Sequence, residues 1–454
     1  MKRYDMFFGT LQFYDTICQF VFEDYKLHID VSNTDLVKSL FSQEHPDLAT
    51  NCLFGKIATE TETVFFSFKK NAYDSTINIG HLVASRITIY VDYYLVLKKP
   101  LSLSNLFIQF HNDSFQKWLG LYPKFIFEMG SLEKTNIVLE NSTLECKSNF
   151  AFGGKRYVAY PSYKINNSIV EYKFSSYLEI ECCDNMTYDS LFELSNLVLK
   201  IIRFSFYRYY VDLGEVIITQ KITVEGGTYR QEVGKLFFRY DKKPIEPIRM
   251  THLYDYGFFK WIDLYKYLNC LVAFIETNSI YLFNLPEKRL DRFRTDIASV
   301  STISAAFECE FSYFFPKYVS TKINDKEYID LKNKLMAMEK NKKQTTLVNN
   351  MIKYYFSQPT LAEKAKYALE QFGDVIKVFK LDKELNLKQI SECFKMVRNK
   401  IDHGDLTIII DSETANTFYY FRILILCMQL SRMGVDKDKL SEMIKPVLSL
   451  DYNR

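Results

Sequence analysis

Proline is scarce in this chain, with 10 in 454 residues beside 15 glycines. So few breakers, with no repeat or low-complexity tract, exclude collagen-like and linker-like architectures. The nine cysteines include no C-x-x-C spacing and one adjacent pair, Cys182-Cys183. That pattern excludes a zinc-finger or disulfide framework and predicts thiols in a reducing compartment. No apolar run approaches the ~18 residues of a membrane span. The strongest, Ile423-Leu424-Ile425-Leu426-Cys427-Met428, predicts a buried helix. The opening Met1-Lys2-Arg3-Tyr4-Asp5 lacks the apolar core of a signal peptide, so the cytoplasm is the expected location and no membrane the expected partner. An excess of one charge is also missing: 58 basic against 55 acidic residues leaves +3. A nucleic-acid site must then be a local patch rather than a whole-molecule field.

What is abundant is aromatic: 38 Phe and 33 Tyr. They concentrate in the first two thirds, among β-branched runs such as Val64-Phe65-Phe66-Ser67-Phe68, Ile87–Leu97, Tyr177–Cys182 and Glu215–Thr219. Such runs bounded by turn residues predict strands. Ile222-Thr223-Val224, Gly226-Gly227 and Tyr229 predict a hairpin, and Gly153-Gly154-Lys155-Arg156 a hairpin turn rather than a phosphate loop. No regular helices are expected between these strands, so an antiparallel module is favoured over a doubly wound sheet.

Beyond residue 255 the periodicity becomes helical. Expected helices are 258–276, 286–314, 326–355, 360–380, 386–403, 412–433 and 436–449. The predicted class is α+β: a β-rich antiparallel domain over 1–255, a helical connector over 256–289, and an all-α bundle over 290–454. The 454-residue length agrees with two or three domains.

One motif stands out, Arg398-Asn399-Lys400-Ile401-Asp402-His403 followed by Gly404. Leu387, Ile390, Phe394, Val397 and Ile401 form an apolar stripe at alternating four- and three-residue steps. At 100° per residue, Arg398 falls roughly 60° from the stripe's centre, Asp402 roughly 100°, and Asn399 and His403 roughly 160°. His403 is thus predicted to face solvent or a second subunit. Gly404 is suited to the left-handed residue that ends a helix. A guanidinium and an imidazole about one turn apart suit a phosphodiester: Arg neutralises a phosphoryl oxygen and His moves a proton near pH 7. A plainer account is also open, since basic residues and glycine favour helix C-termini for electrostatic and steric reasons.

The R-N-x-x-x-H string at Arg398, Asn399 and His403 resembles the signature of HEPN domains, small helical bundles that are often ribonucleases. Ile303–Phe311 resembles the first HEPN helix, and Thr360–Ala365 a middle one. The β-rich front, with Phe8-Gly9-Thr10-Leu11, resembles more loosely the N-terminal region of ApeA-type HEPN proteins of bacterial antiphage defence. The resemblance implies an RNase working without metal or cofactor, in which the substrate's 2′-OH attacks the adjacent phosphate. His403 would be the acid or base and Arg398 the charge stabiliser. Asn399, Asp402 and, through Arg398, Glu308 would support them. It further implies a homodimer or higher even oligomer with two motifs facing one cleft, host RNA (tRNA above all) as substrate, and a phage-derived trigger. The alternative is a non-catalytic HEPN module for dimerisation or for binding a nucleotide or partner, with the β-rich domain as the working surface. Lys395, Lys400, Lys340, Lys342 and Lys343 are candidate phosphate contacts, Lys332 and Lys334 extending the basic run; for that run a solvated helix face is the favoured account.

Overall fold

The computed structural model describes residues 6–13, 16–31, 52–58, 62–77, 85–98, 103–112, 115–127, 135–140, 144–167, 172–211, 213–225, 227–239, 257–287, 289–320, 325–337, 341–352, 358–379, 386–405 and 407–448. Two compact units emerge. One comprises Met1–Leu199 with Asp212–Arg249, the other Lys200–Val211 with Met250–Arg454.

The first unit is antiparallel β. Its strands are β1 (Met6–Phe13), β2 (Thr16–Glu23), β3 (Lys26–Val31), β4 (Cys52–Ile57), β5 (Thr63–Ile77), β6 (Ser85–Leu97), β7 (Leu106–His111), β8 (Tyr122–Phe127), β9 (Thr135–Glu140), β10 (Ser148–Phe152), β11 (Lys155–Asn167), β12 (Tyr172–Cys182), β13 (Glu215–Val224) and β14 (Gly227–Phe238). Twelve join in the order β10-β11-β12-β7-β13-β14-β6-β3-β2-β1-β4-β5, and β5 also pairs with β6. That closure makes a six-stranded barrel of β1 to β6. Strand β6 serves both halves: Ser85–Tyr90 pairs with β3 and Tyr93–Leu97 with β14. Burial alternates with period two along β1 and β4, as a filled barrel requires. The inward rings of Phe7, Phe20, Phe22, Phe66 and Tyr94 fill it together with Leu11, Ile29 and Val64. Gly153 and Gly154 have φ +55° and +71° in the tight β10–β11 turn, where Phe152 pairs with Lys155. Two consecutive left-handed residues are what a two-residue hairpin needs. The predicted hairpin at 222–229 is also formed, with Val224 opposite Gly227.

The expectation of strands without helices between them is corrected by α1 (Phe115–Leu119) and above all by α2 (Tyr188–Ser205). Leu191, Leu194, Val198, Ile201 and Ile202 are buried along α2 at helical spacing. Its start is capped reciprocally, Ser190 N–H to Thr187 Oγ1 at 3.1 Å and Thr187 N–H to Ser190 Oγ at 2.7 Å. The periodic stripe and the T-x-x-S cap outweigh the β-branched content around them.

The second unit is helical: α3 (Trp261–Leu264), α4 (Leu268–Glu276), α5 (Ile297–Phe314), α6 (Lys326–Ala337), α7 (Lys342–Met351), α8 (Leu361–Gln371), α9 (Gly373–Lys377), α10 (Leu387–Asp402), α11 (Ser412–Arg432) and α12 (Lys437–Leu448). The single helix expected over 258–276 is α3 and α4 separated by a 3-10 turn at Tyr265–Tyr267. The helix expected from Pro286 begins only at Ile297. There Asp296 accepts from Ser299 N–H at 2.7 Å, a cap the proline signal obscured. The span 326–355 divides into α6 and α7, whose Asn341 cap restarts the helix; residues 288, 338–340, 353–355, 380 and 449 of the predicted spans lie outside the described residues. Helix α11 is buried on nearly every side from Thr417 to Leu430 and forms the centre of the bundle, with α5, α10 and α12 packed on it.

Candidate functional site

Helix α10 carries the motif, and its position follows from packing. Asn386 caps it, accepting from Gln389 N–H at 3.2 Å. Ile390, Phe394 and Val397 of the stripe are buried. Phe394 stacks on Phe421 of α11 with centroids 3.6 Å apart and planes 7° apart. Phe307 of α5 meets both rings edge-on, at 5.4 and 4.9 Å. These rings hold α5, α10 and α11 in one register, and aromatic pairs of this kind add to simple area burial.

The end of α10 is a Schellman motif. Gly404 has φ +80°, its N–H reaches Ile401 O at 2.9 Å, and Asp405 N–H reaches Lys400 O at 3.0 Å. Thr407 then donates to Asp405 Oδ1 through N–H at 3.0 Å and through its hydroxyl at 2.6 Å. Those bonds hold the Asp405 carboxyl below the usual carboxylate range. His403, the cap residue, is therefore fixed through its backbone while its side chain is exposed.

Arg398 lies on the flank of α10, half-buried. Its Nη2 donates to Glu308 Oε1 of α5 at 3.1 Å, and its Nη1 lies 2.5 Å from Asp402 Oδ2 one turn along. The Arg398 side chain is 32% exposed and that of Glu308 35%, so the trio is not sealed from solvent. Asn399 and His403 make no side-chain hydrogen bond among the described residues. With exposed Lys395 they mark three successive turns of the outward face. Lys400 is exposed too, at the same helix end. The structure thus brings Arg398, Glu308 and Asp402 into contact and keeps Asn399, His403, Lys395 and Lys400 on the same helix. Lys343 is exposed on α7, a different element; Lys340 lies outside the described residues, as does the side chain of Lys342. Among the described residues no three His, Cys, Asp or Glu side chains cluster as metal ligands, and no helix is long and apolar enough to cross a membrane.

Two ionic clusters escaped the sequence reading. Glu310, two residues beyond Glu308, is fully buried. It accepts from Tyr281 N–H at 2.8 Å, Gln429 Nε2 at 2.9 Å and Arg432 Nη1 at 2.5 Å. Burial pushes its carboxyl up, against the pull of those donors. In the β unit, Glu179 is fully buried on β12 and accepts from Arg230 Nη1 and, at 3.0 Å, from Gln109 Nε2. His111 Nε2 lies 3.2 Å from Gln109 Oε1, its ring 4.4 Å from that of Tyr177. Burial drives its pKa down from 6.5 to about 4. The available signal was a lone acid inside an apolar run, Leu178-Glu179-Ile180, which its burial demands be paired.

No family model matches this chain, and neither a curated protein nor a solved structure matches it.

Proposed function

We propose that this chain is a HEPN-type endoribonuclease of antiphage defence that acts in the cytoplasm on host RNA, tRNA above all. One observation carries the reading: a half-exposed arginine and an exposed histidine share one rigid helix end, with the histidine side chain unengaged. In the proposed reaction the substrate's 2′-oxygen bonds to phosphorus as the P–O5′ bond breaks, leaving a 2′,3′-cyclic phosphate. His403 takes or returns the proton, and Arg398 neutralises the charge growing on the phosphoryl oxygens. Asn399 and Asp402 orient, and Glu308 holds Arg398. A face turned away from its own core favours a site shared with a second copy, so a homodimer or higher even oligomer belongs to the reading, with a phage-derived trigger acting through the β unit. The test is cleavage of total tRNA at pH 7 in EDTA, beside His403→Ala and Arg398→Ala. Loss of cleavage in both is expected; undiminished cleavage in both variants rejects the site.

A second reading draws on a specific observation. Arg398 is already engaged by two carboxylates, Glu308 and Asp402, as expected of a structural tie. In that case the bundle is a non-catalytic HEPN module for dimerisation or for binding a nucleotide or partner, and His403→Ala leaves protection in a phage challenge intact.

A further inference from the structure

The β13–β14 hairpin outruns its sheet. Strand β7 pairs with β13 only as far as Gln220, and β6 pairs with β14 only from Gly234 onward. Between these limits Lys221–Val224 and Gly227–Arg230 form a ladder only with each other among the described residues. Every described residue of this arm is exposed except the half-buried Ile222. A two-stranded arm of this kind has little stability of its own. Its Arg230 nevertheless reaches Glu179 on β12, three places away in the order β12-β7-β13-β14. Three strand spacings are about 14 Å, farther than the side chain extends across a flat sheet. The arm therefore curls over the sheet face, and the register shift between Ile218 and Thr219 supplies the bend.

The groups that meet the Arg230 guanidinium are those that recognise a cation. It lies 4.1 Å above the Phe107 ring, its Nη2 donates to the Tyr160 hydroxyl at 2.9 Å, and its Nη1 donates to Glu179 Oε1. Gln109 Nε2 donates to the same Oε1 at 3.0 Å, so both donors crowd one oxygen while the buried Oε2 has none. A buried acceptor left without a donor is costly. Arg230 thus holds this place without satisfying it. We propose that Glu179, Phe107 and Tyr160 receive an arginine side chain of a partner protein, with Arg230 as the resident that it displaces. A ring face, a carboxylate and a phenol together select a cation. A guanidinium suits them better than an ammonium, because its face covers Phe107 while its edge forks onto both carboxylate oxygens, Oε2 included. Arg230 spends Nη2 on Tyr160 and does not make that fork. The resident guanidinium is delivered by an extended strand, and an extended peptide is the occupant that reproduces it. A buried carboxylate cannot be left unpaired, so Arg230 leaves only as another cation arrives. Occupancy and arm position are then one equilibrium. The site stands whether or not the chain is a nuclease.

The test is hydrogen exchange of the full-length chain, with acetyl-Gly-Arg-Gly-amide as the probe at millimolar concentration beside its neutral citrulline counterpart. In the wild type the arginine peptide is expected to speed exchange of the arm amides, Lys221–Val224 and Gly227–Gln231, and the citrulline peptide to leave them unchanged. Arg230→Ala removes the resident and should bind the arginine peptide at least about tenfold more tightly than the wild type by calorimetry. Adding Glu179→Gln to that variant should abolish binding. Arm exchange indifferent to the arginine peptide in the wild type overturns the proposal and leaves a purely structural ion pair. A citrulline peptide that acts equally overturns it too, as does an Arg230→Ala chain that binds no better than the wild type. Free arginine binding as tightly as the peptide would assign the site to a small metabolite and equally overturn the protein partner. The wild-type measurement needs no substitution, so a variant that fails to fold does not shield the proposal.

Discussion

The two units handle an arginine between acceptors in opposite ways. In the β unit Arg230 meets a carboxylate that water cannot reach, lies 4.1 Å above the Phe107 ring and donates to the Tyr160 hydroxyl at 2.9 Å. In the helical unit Arg398 meets Glu308 and Asp402 at the surface, each about a third or more exposed. The difference lies in the acid, since Arg230 is itself 38% exposed: a buried Glu179 left unpaired has no solvent to turn to. An open pair is weak and exchangeable, so an incoming phosphate can compete for the guanidinium. The same chemical pairing thus differs between the two places, and the accessibility of the carboxylates sets how firmly the arginine is held.

That comparison can be broken in four ways. The largest effect concerns rate: Arg398→Ala and His403→Ala should each lower tRNA cleavage by about three to four orders of magnitude, with melting midpoints nearly unchanged. Next comes a pair of substitutions two residues apart. Glu310→Ala should cost about 3–5 kcal/mol, whereas Glu308→Ala should cost under about 1 kcal/mol. Urea unfolding of the helical unit's transition measures both, and equal costs would remove the distinction between sealed and open acids. The third is a pH dependence. His111 titrates at about 4 in the folded β unit against 6.5 when unfolded, so the unfolded chain takes up the proton first. The stability it confers is whole above pH 6.5 and is lost as pH falls toward 4, by up to about 3 kcal/mol. His111→Gln should flatten that part of the stability–pH curve, and an unaltered slope would show that His111 is not its source. The smallest is Gly404→Ala, about 1 kcal/mol from forcing a side chain into the left-handed region, read as a lower midpoint of the helical unit.

Much of the helical half was legible because its signals are local. The stripe from Leu387 to Ile401 placed α10 within a residue at each end, and Gly404 marked its stop. The exposed side chain of His403 and the flank position of Arg398 followed from angle alone. Helix α2 was missed because Thr, Ile and Phe residues around 187–206 carry strand preference, and only the wider stripe betrays it. The late start of α5 was missed because Pro286 looks like a helix opener, while its carbonyl instead accepts from Tyr209 N–H at 2.9 Å.

By itself the sequence determined the class, a strand-rich front and a helical back, and the direction in which each motif residue leaves its helix. Periodicities of 2 and 3.6 are properties of neighbouring residues and need no partner to be read. Only the tertiary structure decided that β6 closes a barrel while also carrying a second sheet, and that Glu310 is sealed against Arg432. That last contact joins residues 122 apart along the chain. No local pattern encodes such pairings; they form only when packed faces bring distant segments together and burial makes an unpaired charge too costly to keep.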